Sequence, residues 1–123
     1  MAKHYFENGL YEKAYNLYDK HIEKIIDQKF GIFLAEKYFF RAIISTLAND
    51  DYVNAKNKFS EYGNISVTFK KSRYGILLQK ILISIDKNDI AEFILSINKY
   101  EELYHLSLSE TTALTFSNKS EKV

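Results

Sequence analysis

The chain has 123 residues, of which 46% are hydrophobic and 27% charged, and its formal net charge is +1. Such a chain is long enough for one globular domain, and its near-neutral charge argues against bulk attraction to nucleic acid. The lack of cysteine excludes disulfide bonds and thiolate metal sites and is compatible with the reducing cytoplasm.

Helix is expected along nearly the whole chain, because proline is absent and the four glycines are widely spaced. Apolar side chains recur every three or four residues in five segments, which gathers them on one helical face. In the second segment the apolar surface is wide enough to predict a helix that is buried on most sides. The five predicted helices cover residues 10–28, 32–48, 52–62, 72–85 and 90–104.

The last stretch of the chain, residues 107–123, is rich in serine and threonine and ends in Ser-Glu-Lys-Val. We predict a short helix over 109–116 and then a frayed tail. The domain division that follows is a helical-hairpin domain over 1–106 and a terminal segment over 107–123. No apolar run approaches the roughly 20 residues of a membrane-spanning helix.

A motif recurs where helices are predicted to begin. In its two clear copies it places a turn residue, an aromatic residue and an alanine at matching offsets, as in the second helix of a tetratricopeptide repeat. Because the connections are short, consecutive helices must pack antiparallel. The predicted fold class is therefore all-α, with tetratricopeptide-like stacked antiparallel hairpins in a right-handed α-α superhelix. The copies are Gly9-Leu10-Tyr11-Glu12-Lys13-Ala14, Asp50-Asp51-Tyr52-Val53-Asn54-Ala55 and, more weakly, Asn88-Asp89-Ile90-Ala91-Glu92-Phe93.

Further motifs give the chain a resemblance to a known family. In order and spacing they resemble the C-terminal part of the SNAP family, the soluble NSF attachment proteins, over about residues 5–114. They are more similar to the alpha branch than to the gamma branch, although gamma shares the Asp-Tyr-Val turn. The motifs are Ala35-Glu36-Lys37-Tyr38-Phe39-Phe40-Arg41-Ala42, Asn54-Ala55-Lys56 and Phe69-Lys70-Lys71-Ser72-Arg73.

The resemblance implies an adaptor without catalytic residues or cofactors. SNAP proteins lie along SNARE four-helix bundles and recruit the ATPase NSF, which hydrolyses the nucleotide. Their C-terminal helical bundle meets the ATPase, and this chain would be mainly that region of a longer protein. The expected partners are a syntaxin-type SNARE complex and NSF. The expected location is the cytoplasm, peripheral to vesicle and target membranes, with a monomeric free chain.

The family's contacts to the ATPase are acidic. Two neighbouring family acids are replaced here by Ile83 and Lys87, and the family's acidic tail is replaced by residues 120–123. An acidic residue at a helix start can also act only as a cap, so a capping role stays open for three of the four candidates, those at the turns. The candidate NSF-binding residues are Asp50, Asp51, Asp86 and Asp89.

The family's contacts to SNAREs are basic, and the matching basic position here is Arg73. Another family lysine falls on Glu36, beside Lys37, while Lys70 and Lys71 extend a basic cluster before the fourth predicted helix. A solvated charged face is the alternative interpretation. The candidate SNARE-binding residues are Arg73, Lys37, Lys70 and Lys71.

Two other interpretations remain open. A generic tetratricopeptide scaffold would hold an extended peptide in a groove lined by basic and asparagine side chains. A purely structural unit would use its apolar face to complete a longer solenoid. Enzymatic interpretations lack support, because His4, His21 and His105 do not have metal-site spacing and the glycines form no phosphate-binding loop.

Overall fold

The structure, a computed structural model, describes residues 2–25 and 31–117. Within these ranges the chain forms seven α-helices and no strand, which confirms the predicted all-α class. The five longer helices and the short terminal helix agree with the sequence prediction, except that residues 26–28 and the tail 118–123 lie outside the described residues. The helices are α1 Ala2–Glu7, α2 Tyr11–Ile25, α3 Gly31–Ala48, α4 Tyr52–Ile65, α5 Arg73–Asp86, α6 Ile90–Leu103 and α7 Leu108–Ser117.

Helix α1 is an element that the sequence pattern did not predict. Its six residues are too few to show a helical period, and a helix this short is marginal in water by itself. Packing stabilises it: Phe6 is buried, and its ring meets the rings of Tyr11 and Tyr18 edge-on, with centroids 6.1 Å apart in both pairs. Burial against α2 therefore supplies the stabilisation that the helix propensity of these six residues does not.

Three helix-to-helix turns share one backbone conformation. Gly9, Asp50 and Asn88 have φ values of 75°, 66° and 55°, in the left-handed region. In each turn the next residue donates its N–H to a carbonyl five residues earlier, as Asp51 does to Thr46 at 2.9 Å. This is the Schellman arrangement that ends helices, and it closes α1, α3 and α5 alike. The repeat found in the sequence is thus a repeat of turn geometry.

Helix α3 is the centre of the fold. It packs against α2, α4, α5 and α7, and every residue over 39–48 is buried. A helix that is apolar on most sides must be surrounded by others, which is why the sequence predicted burial here. None of the helices in the described part of the chain combines the length and apolarity that crossing a membrane requires.

The connection between α4 and α5 is held by an aromatic side chain. Phe69 is fully buried, and its ring lies 4.9 Å from that of Phe39, which in turn stacks on Tyr62 at 4.5 Å. Gly75 allows this approach, because a Cβ atom there would lie 2.1 Å from the Phe69 carbonyl oxygen. The inward turn of Phe69 directs its neighbours, residues 70–73, to the surface.

The small residue of the repeat motif can be tested at Ala55, which is fully buried. We expect Ala55→Leu to lower the free energy of unfolding by about 1–3 kcal/mol, because α4 has no room for a larger side chain there. Chemical denaturation measures the change. Val53→Leu, at a 68% exposed position of the same helix, is the control and should be nearly neutral. Equal stabilities of the two variants would mean that the repeat register is wrong.

Candidate partner-binding surfaces

The turn carboxylates have distinct local roles. Asp51 caps α4, because its Oδ1 accepts a hydrogen bond from the Asn54 N–H at 3.2 Å, and Asp89 caps α6 through the Glu92 N–H at 3.1 Å. Asp50 is instead the left-handed residue of its turn. All three remain exposed, so capping leaves their carboxylates accessible to a partner.

The two acidic turns lie at the same end of the helices. Tyr52, the first residue of α4, donates its hydroxyl hydrogen to the Leu82 carbonyl in the last turns of α5, at 3.0 Å. Burial raises the pKa of Tyr52, and the neighbouring Asp86 carboxylate raises it further. Asp86 is therefore next to Tyr52, the residue that follows the cap residue Asp51 in the chain. We call the surface formed by Asp50, Asp51, Asp86 and Asp89 the acidic end.

Basic and apolar side chains moderate the charge of the acidic end. The Lys56 ammonium lies over the Tyr52 ring, 5.4 Å from its centroid. Lys87 follows α5 as its C-cap residue, and Ile83 is 45% exposed in the preceding turn. Ile83 and Lys87 occupy the positions where the sequence resemblance indicates acidic residues. The acidic end is consequently less negative than that resemblance implies.

The basic candidates do not form one cluster. The Lys70 ammonium lies over the Phe59 ring of α4, 5.8 Å from its centroid, whereas Arg73 turns towards α6. Lys37 is exposed on α3 beside Glu36, whose carboxylate accepts a hydrogen bond from Thr68 at 3.0 Å. Lys37 therefore lies near the loop 66–72, while Arg73 belongs to a different surface.

Arg73 is held between two aromatic rings. Its guanidinium lies 4.9 Å from the centroid of Tyr74 and 4.7 Å from that of Tyr104, and it donates a hydrogen bond of 3.0 Å to the Tyr74 hydroxyl. Burial raises the pKa of the adjacent Tyr100 to about 12. These contacts give the Arg73 side chain a defined direction although it is exposed.

Two lysines that sequence inspection missed share the Arg73 surface. A groove of about 390 Å³ runs between α5 and α6, and its lining includes Lys71, Arg73, Lys80 and Lys99. The spacing of seven residues from Arg73 to Lys80 puts both on one face of α5, which was a usable signal. Nothing in the sequence brings Lys99 of α6 to the same face. We call this the basic groove.

A buried ion pair attaches the terminal helix α7 to α3. Arg41 Nε lies 3.2 Å from Glu110 Oε2, and both side chains are only 8% exposed. Arg41 Nη1 also donates to the Tyr18 hydroxyl at 3.3 Å, and the guanidinium lies over the Phe6 ring at 5.4 Å. Burial by itself lowers the pKa of Arg41, but the hydrogen bond to Tyr18 and the charge of Glu110 outweigh it, so the pKa is raised. Four helices thus converge on one cation.

Glu110 also starts the helix that it attaches. Its Oε1 accepts a hydrogen bond from the Ser107 N–H at 2.9 Å, while the Ser107 hydroxyl accepts one from the Glu110 N–H at 3.1 Å. This reciprocal capping box was visible in the sequence as Ser-x-x-Glu, a signal that sequence inspection did not use. One carboxylate therefore nucleates α7 and anchors it to α3.

These features define a helical-hairpin protein with an acidic end and a basic groove, and with no group of metal-ligating side chains in the described ranges. The family model for "Soluble NSF attachment protein, SNAP" matches residues 1–117. The chain belongs to the SNAP family, as the sequence resemblance indicated. This family is one of adaptors, not enzymes.

Individual relatives agree with the family assignment. The chain is 25% identical over 104 residues to an alpha-soluble NSF attachment protein of Dictyostelium discoideum and 26% identical over 104 residues to that of Homo sapiens. Each match covers 85% of this chain but only 36% and 35% of the relatives, so the chain spans about a third of their length. No solved structure gives a significant match.

The buried ion pair gives a stability prediction. Glu110→Gln should lower the free energy of unfolding by about 3 kcal/mol, because the charge of Arg41 is left buried without a counterion. Urea denaturation measures this change. Glu92→Gln is the matched control, since Glu92 has the same position after an N-cap on α6 but is exposed, and it should change stability by less than about 0.5 kcal/mol. Similar effects at both positions would contradict a special role of the pair.

Proposed function

We propose that this chain acts as the NSF-facing part of an adaptor in SNARE complex disassembly. The acidic end would bind a basic surface of the ATPase, and the basic side chains Lys37, Lys70, Lys71 and Arg73 would bind acidic side chains of a SNARE bundle. The observation that supports this most is that two exposed acidic turns lie together at one end of a chain of the SNAP family. No catalytic step is assigned to the chain.

The distance between the two charged regions suits a bridging role. The acidic end lies where α4 begins and α5 ends, whereas the loop 66–72 and Arg73 lie where α4 ends and α5 begins. Helices of 14 residues are about 20 Å long, so two partners would meet different ends without competing. An adaptor of this kind contributes charge and position rather than chemistry.

Rigid presentation favours binding at the acidic end. Exposed charge pairs are individually worth only about 0.2–1 kcal/mol, partly because ordering the side chains costs entropy. Asp51 and Asp89 are already ordered by their capping hydrogen bonds, and the turns share one conformation. Several weak contacts can therefore add up at this end. Their sum should fall with rising salt concentration.

The substitutions Ile83 and Lys87 lead us to propose weaker stimulation of the ATPase than in family members with acids there. We also propose a cytoplasmic chain of the alpha type, monomeric when free, that reaches vesicle and target membranes through syntaxin-type SNAREs.

A generic tetratricopeptide scaffold is the second candidate, because the groove between α5 and α6 is basic, although its lining includes no asparagine. Comparable binding of unrelated acidic peptides would favour this scaffold.

Charge reversal tests the acidic end. The triple variant Asp50→Lys, Asp51→Lys and Asp86→Lys should weaken binding to the N-terminal domain of the ATPase at least tenfold, about 1.4 kcal/mol, because each contact becomes repulsive. Titration calorimetry at two ionic strengths measures the affinity, and the loss should be larger at low salt. The double variant Glu101→Lys and Glu102→Lys, at the far end of α6, is the control and should bind normally.

A second variant separates charge from folding. Asp50→Gly suits the left-handed turn, and Asp51→Ser retains a capping oxygen, so the double variant should unfold within about 1 kcal/mol of the wild type. It should still bind the ATPase domain more weakly, because two carboxylates are lost. Unchanged affinity in both this variant and the folded triple variant would remove the acidic end as the docking surface. Circular dichroism shows whether each variant is folded.

A further inference from the structure

The basic groove between α5 and α6 combines positive charge with exposed apolar surface. Among its lining residues four are basic and none is acidic. All four basic residues are exposed, so their charges are available to a partner rather than neutralised within the groove. In the described part of the chain, the ion pairs involve Arg41 and Lys58, which lie elsewhere. A partner that enters the groove therefore needs negative charge.

Large apolar side chains edge the same groove. Leu103 is 78% exposed, Ile76 is 48% exposed and Tyr104 is 39% exposed. A charged surface without such residues would bind small anions as well as acidic proteins. Contact with a small hydrated anion would not remove the apolar surface of leucine or isoleucine from water and so would not stabilise binding. Contact with an apolar side chain of a partner would bury that surface, which is favourable. The groove is consequently suited to an acidic segment with an apolar residue among its carboxylates.

The side chain of Arg73 is preorganised for contact with a carboxylate. The rings of Tyr74 in α5 and of Tyr104, the C-cap residue of α6, contact its guanidinium, which reduces the entropy that binding would otherwise cost. The hydrogen bond to Tyr74 occupies Nη2, so other N–H groups remain for a carboxylate. Arg73 thus links the basic loop to the groove.

We propose that the basic groove is the part of the SNARE-binding surface that receives an apolar side chain of an acidic partner helix. Lys80 and Lys99 contact carboxylates on either side of that residue, and Leu103 covers it. This inference rests on the proposed SNARE binding and adds to it two cations and an apolar contact. It also explains why the positive charge extends from the loop 66–72 along α5.

The test is titration of a purified soluble SNARE four-helix bundle with the wild type and two groove variants. Lys80→Glu with Lys99→Glu should weaken binding by about tenfold at low salt and less at high salt, because screening removes the charge contribution. Leu103→Ser should weaken binding by about fivefold at both salt concentrations, because burial of apolar surface is not screened. All three side chains are exposed, so these variants should fold.

Matched controls lie outside the groove. Leu108→Ser removes a leucine of similar exposure, 83%, on α7, and Lys3→Glu with Lys24→Glu reverses two exposed lysines on α1 and α2. Both should bind the bundle as the wild type does. If the wild type does not bind the bundle, the proposed function fails, and this inference fails with it. If Arg73→Glu weakens binding but the groove variants equal the wild type, SNARE binding stands and the groove assignment is overturned.

Discussion

The buried ion pair between Arg41 and Glu110 is the contact on which the arrangement of the helices depends. The other buried polar side chains of α3, Ser45 and Thr46, donate to carbonyls of their own helix, whereas the buried guanidinium of Arg41 must find a carboxylate and hydrogen-bond acceptors on other helices. Glu110 supplies the carboxylate from α7, Tyr18 supplies a hydroxyl from α2, and Phe6 covers the cation from α1. An apolar contact could shift along a helix at little cost, whereas any shift of α7 would leave the Arg41 charge buried without its carboxylate. The pair thus specifies where the terminal helix lies.

The repeated turns determine where the acidic side chains lie on the surface. Because Gly9, Asp50 and Asn88 adopt the same left-handed conformation, the hairpins that follow them leave their turns in the same way. Tyr52 then joins the second turn to the end of α5, and the acidic residues of both turns face solvent together. Polar residues at turns are ordinary, but their repetition at one end of a rigid stack makes an extended charged surface.

The positive side chains are arranged by a different constraint. Phe69 must be buried against Phe39, so the loop around it is drawn inward and its basic neighbours are separated. Lys70 turns back over Phe59, whereas the guanidinium of Arg73 lies over the rings of Tyr74 in α5 and of Tyr104, the C-cap residue of α6. A run of charges that looks continuous in the sequence therefore serves two surfaces. The separation is a consequence of core packing and is not encoded in the charges themselves.

The sequence by itself determined the described helices other than α1, the positions of their turns and the family, because these depend on local periodicity, on residues at fixed offsets and on motifs that lie in order along the chain. It also gave capping as an open role for Asp50, Asp51 and Asp89, and Asp51 and Asp89 do cap their helices, since a cap acts within three residues, whereas Asp50 is the left-handed turn residue. Only the tertiary structure decided which distant charges are neighbours. Arg41 and Glu110 are 69 positions apart, and Lys80 and Lys99 line one groove only because α5 and α6 pack together. Helix α1 is also a feature that only the tertiary structure decided, because burial and not helix propensity makes its six residues helical. Such pairings depend on how buried surfaces fit together, and no short stretch of sequence contains that information.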